Sequence, residues 1–499
     1  MRSTLCCLAL LICGSAVRAQ TPDTLLAGAD LQADIDLLAE AYGSLHPGLY
    51  RHQTPEAWAS RVATLRADVS GGMSQRAFYV RVAELLAAIQ CGHSYPNFFN
   101  QSAAVQARVL AAGRRLPFRF RWIDGEMVVT RDLSGRGPQG GGLPPGTRVR
   151  ALDGVPTAEI LARLMPLARA DGGNDAKRRE NLAVSGGEPF EAFDVYYPLV
   201  FALGDTVAVD VAGPLRAAAR TLRLATQTHA EREALRTSEG SAPGANPLGW
   251  TLRTLADGTA VLRMPGWATY QTDWDWQAFL DSTVARLIQD DVPRFVVDLR
   301  DNEGGSDVGD VILSALTPRD LTFASGERYV RYRALPPALR PYADTWDRSF
   351  DDWTSGVDPA ATGDLLRMTR YDDGAASKTI RPGPRLYTGR VAVLVSAVNS
   401  SATFGFAQDV KQSGLALLVG QTTGGNQRGI NGGAFYFFRL PRSGIEVDVP
   451  LVGFYPPGRR VENVHDGGIQ PDIEVPLTAD DLARDGDRIL DAAVAALSR

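Results

Sequence analysis

From about Gly249 to Val475, predicted strands alternate with predicted helices, and this alternation constrains the fold more than any other feature of the chain. The alternating segments are Thr259–Arg263, Trp274–Gln289, Phe295–Leu299, Val308–Leu316, Arg390–Val395, Ala402–Ser413 and Leu415–Val419. Repeated strand–helix–strand order predicts an α/β fold with a mostly parallel sheet and ligands near the carboxyl ends of its strands. A last helix is predicted over Asp480–Leu497, and little regular order is predicted between Pro318 and Pro384.

Two regions with other patterns precede this core. From about Ala27 to Ala112 apolar residues recur at helical spacing, as in Leu31, Ile35, Leu38 and Tyr42. After residue 112 short alternating strands follow, and Asp124-Gly125 between two of them predicts a hairpin. We therefore divide the chain into residues 1–19, a helical region 20–112, a second domain 113–234 and a core 235–499.

The first nineteen residues have the pattern of a secretory signal. Arg2 is followed by an apolar run from about Leu5 to Cys13, and Val17-Arg18-Ala19 offers a cleavage site before Gln20. The apolar run is too short to span a membrane, so we predict a periplasmic or secreted protein without a stable membrane anchor. Three of the four cysteines lie in this segment, which leaves Cys91 alone and predicts no internal disulfide. The net charge of −5 argues against a nucleic-acid partner bound by bulk charge.

Two strand-to-helix junctions in the core carry residues suited to chemistry. In the first, the predicted strand before Asp298 runs into the loop Asn302-Glu303-Gly304-Gly305, whose backbone N–H groups could approach a ligand closely, although a simple tight turn explains the pattern equally well. In the second, Ser400-Ser401 precedes a helix, where a serine is either an N-cap or a nucleophile beside free N–H groups. The segment lacks Gly-x-Ser-x-Gly, so an α/β-hydrolase nucleophile turn is not supported.

A serine nucleophile needs a base, and histidine is the most common one. Of the five histidines, His93 follows a predicted helix and Gly92 at the start of a loop, which makes it a candidate. His46 and His52 flank Pro47-Gly48, where a role in a turn is as good an explanation. Cys91 is predicted to be a buried inert thiol, and no His/Cys/Asp cluster has the spacing of a zinc site.

Taken together, these motifs resemble the tricorn-like and C-terminal-processing serine peptidases, a superfamily with a crotonase/Clp-like core. Asp298-Leu299-Arg300-x-Asn302-x-Gly304-Gly305 is similar to their strand and glycine loop, and Val393–Thr403 with the later Val419–Gly425 is similar to their nucleophile segment. Val461-Glu462-Asn463 and Gly468–Ile473 resemble their closing motif, and Gly92-His93-Ser94 resembles their histidine segment. Gly146–Met165 resembles the PDZ-like module that some members carry.

The resemblance implies a role for each matching residue. Ser401 would be the nucleophile, with Ser400 as the alternative, and backbone N–H groups of Gly304 or Gly305 and of Ala402 would form the oxyanion hole. Processing peptidases use a lysine base after the nucleophile helix, but this chain has only three lysines and Gly425-Asn426-Gln427 at that place. Tricorn-like members use a Ser-His-Glu relay, which His93 and Glu462 match.

The resemblance therefore implies an exported serine peptidase that forms an acyl-enzyme and needs no metal or organic cofactor. Its partners would be peptides or proteins, held by their carboxyl termini where a PDZ-like module adds them as a strand to its sheet. Glu303, Phe404 and Gly92 depart from the pattern of the superfamily. Two alternatives thus stay open: an inactive peptide-binding member with the same fold, and an esterase with the same relay.

Overall fold

The computed structural model describes residues 23–137, 141–214, 218–238, 246–324, 326–359, 363–370, 377–459, 461 and 463–499. The predicted signal segment, residues 1–19, lies outside the described residues. Within the described ranges, no helix combines the length and the apolar character that crossing a membrane requires.

The N-terminal region is helical, as its periodicity predicts. Its elements are β1 (Leu25–Leu26), α1 (Gly28–Leu45), α2 (Pro55–Asp68), β2 (Met73–Ser74), α3 (Gln75–Ala87) and α4 (Ala103–Val105). Thr54 and Ser74 cap α2 and α3 with their side chains, which satisfies free N–H groups at each helix start. The segment that carries His93 begins just after α3.

The second region is an antiparallel sheet with helices. Its elements are β3 (Phe118–Ile123), β4 (Glu126–Asp132), β5 (Arg148–Leu152), β6 (Val155–Pro156), α5 (Thr157–Leu164), α6 (Asp175–Asn181), α7 (Ala192–Val200), β7 (Thr206–Ala212), β8 (Ala219–Ala225) and α8 (His229–Ser238). The strand order is β3-β4-β5-β7-β8, with β6 paired to β5. The Asp124-Gly125 hairpin is confirmed, since both residues have positive φ, 52° and 78°, as its tight turn requires.

The third region contains the predicted parallel sheet. Its elements are β9 (Thr251–Thr254), β10 (Ala260–Arg263), α9 (Trp276–Gln289), β11 (Arg294–Asp298), α10 (Val308–Leu316), β12 (Leu321–Ala324), β13 (Glu327–Val330), β14 (Ala343–Asp344), β15 (Leu366–Arg367), β16 (Ser377–Ile380), β17 (Arg390–Val395), α11 (Ser401–Ser413), β18 (Leu417–Gly420), β19 (Asn431–Arg439), β20 (Glu446–Tyr455), β21 (Ile473–Glu474), α12 (Ala479–Ala483) and α13 (Arg488–Leu497).

The main sheet has the order β21-β18-β17-β11-β10-β9, and all neighbouring strands are parallel except β9 with β10. Alternate residues of one strand face opposite sides, so Val393 packs in one core cluster with residues of α9 to α11 while Ala392 packs in another with residues of α13. The sheet is therefore buried on both faces, which is why its strands are almost continuously apolar. The predicted α/β class is confirmed.

A second sheet, formed by strands of the third region, packs against the N-terminal helices. Its order is β14-β19-β20-β13-β15, and the long hairpin β19–β20 packs in the same core as α1 to α3 and the sheet of the second region. Asp34 of α1 accepts hydrogen bonds from the N–H groups of Arg442 (3.0 Å) and Ser443 (2.7 Å) in the hairpin turn. The domain boundaries at 112 and 234 stay predictions.

Two predicted segments differ from the structure. The stretch between Pro318 and Pro384 is not without order, because five short strands form there and β13 pairs with β20 more than a hundred residues later. The predicted helix Asp480–Leu497 is also wrong, since it is two helices, α12 and α13. Asp485 adopts φ 53° just before Gly486 and ends the first helix, and Asp487 caps the second.

Candidate active site

Ser401 is the first residue of α11, and residues 396–400 connect it to the carboxyl end of β17. Its φ is +50°, a left-handed conformation that is costly for a residue with a side chain. Its side chain is partly exposed, and its Oγ has no hydrogen-bond partner among the described residues. A strained serine with an unpaired hydroxyl at a helix start matches the geometry expected of a nucleophile better than that of a cap.

Ser400, the alternative, differs on each of these points. It is only 5% exposed, and its Oγ donates to the carbonyl oxygen of Glu303 at 3.2 Å. Its backbone is extended, with φ −136°, and it is the N-cap position of α11 without a side-chain cap bond. The hydroxyl of Ser400 thus bonds to the neighbouring loop, whereas that of Ser401 bonds to none of the residues that the structure describes.

The loops after β11 and β17 are joined by buried polar side chains. Asn399 is fully buried, and its Nδ2 donates to the carbonyl oxygens of Leu299 (2.5 Å) and Asn302 (2.9 Å). Its Oδ1 accepts from Ser396 N–H at 2.7 Å. Thr403 adds a bond from its hydroxyl to Asn302 O at 3.0 Å. Because every polar atom of Asn399 is used, the glycine loop and the nucleophile segment are held at a fixed spacing.

Gly304 lies against Ser401. A Cβ built on Gly304 would stand 2.9 Å from the Cβ of Ser401 and 3.1 Å from the nitrogen of Ala402, and its φ is +126°. On Gly305 an added Cβ would stand 2.2 Å from the carbonyl oxygen of Trp267. Both positions therefore require glycine for the close approach of backbone to backbone.

The three N–H groups proposed for an oxyanion hole are not equivalent. Gly304 N–H donates to Asn302 Oδ1 at 2.9 Å. The N–H groups of Gly305 and Ala402 have no acceptor among the described residues, as is normal for Ala402 in the first turn of a helix. Within the described ranges, one free donor therefore directly follows Ser401 and another directly follows Gly304, the glycine that packs against Ser401.

His93 lies at the start of the loop after α3, and its ring packs on β19. The ring centroid is 5.7 Å from that of Phe435, and an added Cβ on Gly432 would stand 3.9 Å from His93 Nε2. His93 Nδ1 is buried without a hydrogen-bond partner among the described residues. Burial lowers the pKa of the imidazole, and the charge of Asp171 opposes that shift. A neutral, incompletely bonded imidazole is the form that a general base requires.

The next residue, Ser94, is held by another histidine. His46 is fully buried, its Nδ1 accepts from Gly48 N–H at 3.1 Å, and its Nε2 lies 2.9 Å from Ser94 Oγ. Since Nδ1 accepts, Nε2 carries the proton and donates to the hydroxyl. The turn predicted around Pro47 is therefore also a support for the segment of His93.

Glu462, the third member implied by the resemblance, lies outside the described residues. Among the described residues, Asp171 is a carboxylate whose charge acts on His93. Asp171 is 2% exposed, and its Oδ1 accepts from Gly92 N–H at 2.9 Å. Sequence reasoning did not single out Asp171, because nothing local distinguishes it from other aspartates in polar loops.

A lysine that sequence reasoning set aside also reaches the glycine loop and the nucleophile segment. Lys177 of α6 is buried, and its Nζ donates to Glu303 Oε1 (2.7 Å) and to Val398 O (2.8 Å). Arg169 donates to Glu303 Oε2 at 3.3 Å and to Gly92 O at 2.5 Å. Glu303, a departure from the pattern of the superfamily, is thus paired with two cations from the second region.

Cys91 is buried, and Asn431 Nδ2 donates to its sulfur at 3.3 Å. Burial raises the pKa of the thiol, which keeps it protonated and agrees with the predicted inert thiol. No group of three or more His, Cys, Asp and Glu side chains suited to a metal ion occurs in the described part of the chain.

Residues 258–475 match Peptidase family S41, and this range contains the glycine loop and the serine just described. These residues belong to peptidase family S41. The S41 domain makes the chain a serine-type peptidase, so peptides or proteins are its class of substrate, and the resemblance to tricorn-like and C-terminal-processing peptidases is confirmed. A comparison of the sequence with curated proteins finds no match.

Solved structures of CPAF are similar to this peptidase over nearly its whole length. A mutant of CPAF gives a TM-score of 0.62 with 15% identity, covering 95% of this chain and 98% of that chain. Mature CPAF complexed with lactacystin gives 0.60 with 15% identity, covering 94% and 98%. At this level of identity the likeness shows a shared fold, which extends through the N-terminal helices and the second region as well as the S41 domain.

Proposed function

We propose that this peptidase hydrolyses peptide bonds through an acyl-enzyme in which Ser401 is the nucleophile and His93 the general base. The observation that carries the proposal is the position of Ser401 on a strained helix start, packed against Gly304, with a hydroxyl that has no partner in the described part of the chain. Strain of this kind persists where the surrounding structure demands it, often at sites of chemistry.

In the proposed reaction His93 takes the proton of Ser401 Oγ as that oxygen attacks the scissile carbonyl carbon. The N–H groups of Gly305 and Ala402 then stabilise the oxyanion of the tetrahedral intermediate. We rank Gly304 below Gly305 as a donor because its N–H already bonds to Asn302. His93 returns the proton to the leaving amine, and the same cycle with water as the nucleophile releases the acyl group.

Glu462 is proposed as the carboxylate that orients His93 and stabilises the imidazolium, on the strength of the resemblance of its segment. Asp171 is the second candidate, because its charge acts on His93 and it bonds to the neighbouring Gly92. In either case the carboxylate stays ionised and does not take the proton.

We also propose that the protein is exported and acts on chain termini. Export rests on the signal pattern of residues 1–19, and an intact-mass measurement of secreted protein should give a chain that begins at Gln20.

Recognition of termini rests on the resemblance of the second region to a PDZ-like module. Its β8 is an edge strand to which a peptide could add. Peptides with a free carboxyl terminus should then be cleaved faster than their amidated counterparts.

The decisive experiment is labelling with a fluorophosphonate, followed by mapping of the modified residue by mass spectrometry. We expect label on Ser401, none on Ser401→Ala, and retained label on Ser400→Ala, the matched control. Loss of the nucleophile should reduce kcat by on the order of 10⁴-fold or more. A protein that takes no label and cleaves no peptide would be the inactive peptide-binding alternative, and one that cleaves only simple esters would be the esterase.

A further inference from the structure

Lys177 connects the second region to the nucleophile segment. Its side chain is 3% exposed, and its Nζ donates to Val398 O, three residues before Ser401, and to Glu303 Oε1. Its stem passes Gly424, where an added Cβ would stand 2.8 Å from Lys177 Cδ. This one side chain therefore contacts the nucleophile segment, the glycine loop and the loop after β18.

Arg169 connects the same region to the segment of His93. Its Nη1 donates to Gly92 O at 2.5 Å, and its guanidinium lies 4.4 Å from the centre of the Tyr95 ring. These two contacts flank His93 in the sequence. Its Nη2 also donates to Glu303, so Arg169 and Lys177 meet at one carboxylate.

Glu303 is the common acceptor of both cations, and it directly precedes Gly304. Although its surroundings oppose the charge, Arg169 and Lys177 outweigh that effect and hold the pKa of the carboxyl well below its usual range. Each of the three charged groups thus has a partner of opposite sign, and the bonds are of the strong, charge-assisted kind.

Lys177 does not have the geometry of a general base. Burial lowers the pKa of its ammonium, but Nζ donates to a carboxylate and a carbonyl oxygen, and it has no hydrogen bond to Ser401 Oγ. A lysine base must be neutral and aimed at the hydroxyl it deprotonates. The bonds of Lys177 therefore serve to hold the loops in place.

We propose that Lys177, Arg169 and Glu303 are positioning residues through which the second region sets the relative placement of Ser401, the glycine loop and His93. This inference rests on the proposed roles of Ser401 and His93. Its consequence is that catalysis depends on the docking of residues 169–177, which belong to the second region rather than to the S41 domain.

The test is the comparison of Lys177→Met and Glu303→Gln with the parent enzyme on one peptide substrate. Misplacement of the loops should lower kcat by on the order of 100-fold with little change in KM.

The pH profile of kcat/KM adds a readout that a general loss of structure would not give. The charged groups acting on His93 are Asp171, Arg169, Glu303 and Lys177. Loss of the positive Lys177 should move the acid limb to higher pH, and loss of the negative Glu303 should move it to lower pH.

The matched controls are Arg232→Met and Asp194→Asn. Arg232 and Asp194 form an ion pair at 3.1 Å in the second region, with side chains only 6% and 4% exposed. These variants remove charges of the same signs without touching the three loops, and Asp194 is more buried than Glu303, whose side chain is 45% exposed. They should therefore lose at least as much stability but keep kcat within about threefold in the fraction that remains folded.

The positioning role is overturned if Lys177→Met and Glu303→Gln keep kcat as well as the controls do, or if their acid limbs do not move in opposite directions. Where the thermal midpoint shows that a variant folds poorly, kcat of the double variant Lys177→Met/Glu303→Gln is compared with the controls instead. The double variant keeps neither Lys177 nor Glu303 as a lone charge, and Arg169 keeps its bond to Gly92 O. A Ser401→Ala enzyme that still cleaves peptide would instead refute the proposed function, so the two failures are distinguishable.

Discussion

Gly304 and Ser401 approach so closely that a Cβ added to Gly304 would lie 2.9 Å from the Cβ of Ser401. We expect Gly304→Ala to lower kcat by at least about 100-fold, because the new methyl group displaces the nucleophile or the loop. Gly405→Ala in the same helix is the control, since an added Cβ there meets nothing within 4 Å. The measurement is kcat of the two variants on one peptide substrate, and equal values would contradict the proposed geometry.

The strain at Ser401 gives a prediction about stability. Glycine adopts φ +50° without cost, so Ser401→Gly should have a free energy of unfolding about 1 kcal/mol larger than that of Ser401→Ala, as urea unfolding would measure. Both variants should be inactive. In the next position the order should reverse, because Ala402→Gly introduces glycine into a helix and lowers stability. Equal stability of Ser401→Gly and Ser401→Ala would show that the backbone at this position is not strained.

Burial of His93 gives a prediction about pH. A base acts when it is unprotonated, and burial lowers the pKa of His93 from its usual value of 6.5. The acid limb of kcat/KM should therefore have an apparent pKa below 6.5, and activity should persist in mildly acidic solution. An acid limb centred at or above that value would mean that another group, or a solvated His93, acts as the base.

The carboxylate that serves His93 can be identified by two isosteric variants. We expect Glu462→Gln to lower kcat by on the order of 10⁴-fold, the loss typical of an orienting carboxylate. Asp171→Asn should cost less than about 100-fold, because its main described bond is to Gly92 N–H. If the larger loss falls on Asp171→Asn, then Asp171 is the third member of the relay.

His46 predicts an acid sensitivity of the fold. Burial lowers its pKa to about 3, whereas in the unfolded chain it protonates near 6.5. As pH decreases, the unfolded chain therefore protonates His46 at a higher pH than the folded chain does. The free energy of unfolding falls as pH decreases from 6.5 toward 3, by up to about 1.4 kcal/mol per pH unit. In His46→Gln this slope should be shallower, as urea unfolding at several pH values would show. An unchanged slope would mean that His46 is not buried and neutral.

The sequence predicts the main sheet closely because its strands carry a strong local signal. The α10 helix, Val308–Leu316, and the β17 strand, Arg390–Val395, have the bounds that their apolar patterns predict. The short strands after Pro318 escape prediction because each is stabilised by pairing with a distant segment: β13 and β14 pair with β20 and β19, and β12 pairs with β16 more than fifty residues later.

The difference between local patterns, which the sequence predicts, and long-range contacts, which it does not, also holds for the candidate site. Gly304 follows one strand of the predicted parallel sheet, and Ser401 and Ala402 follow another. Because the carboxyl ends of parallel strands meet at one edge of a sheet, the sequence indicates their proximity. Lys177 lies 126 positions before its partner Glu303, within a short helix of mostly charged and polar residues. Only the packing of the second region against the S41 domain brings these two charges together.

The packing of α1 against the β19–β20 hairpin has a consequence for synthesis. Tyr42 Oη donates to Asp448 O at 2.7 Å across 406 positions of sequence, and Asp34 bonds to the turn of the same hairpin. Contacts of such separation form late in folding because a long loop must close first. The helices that support His93 therefore cannot complete their core until the ribosome has made residues beyond Tyr455. We expect the nascent chain to remain without an assembled catalytic centre for most of its translation.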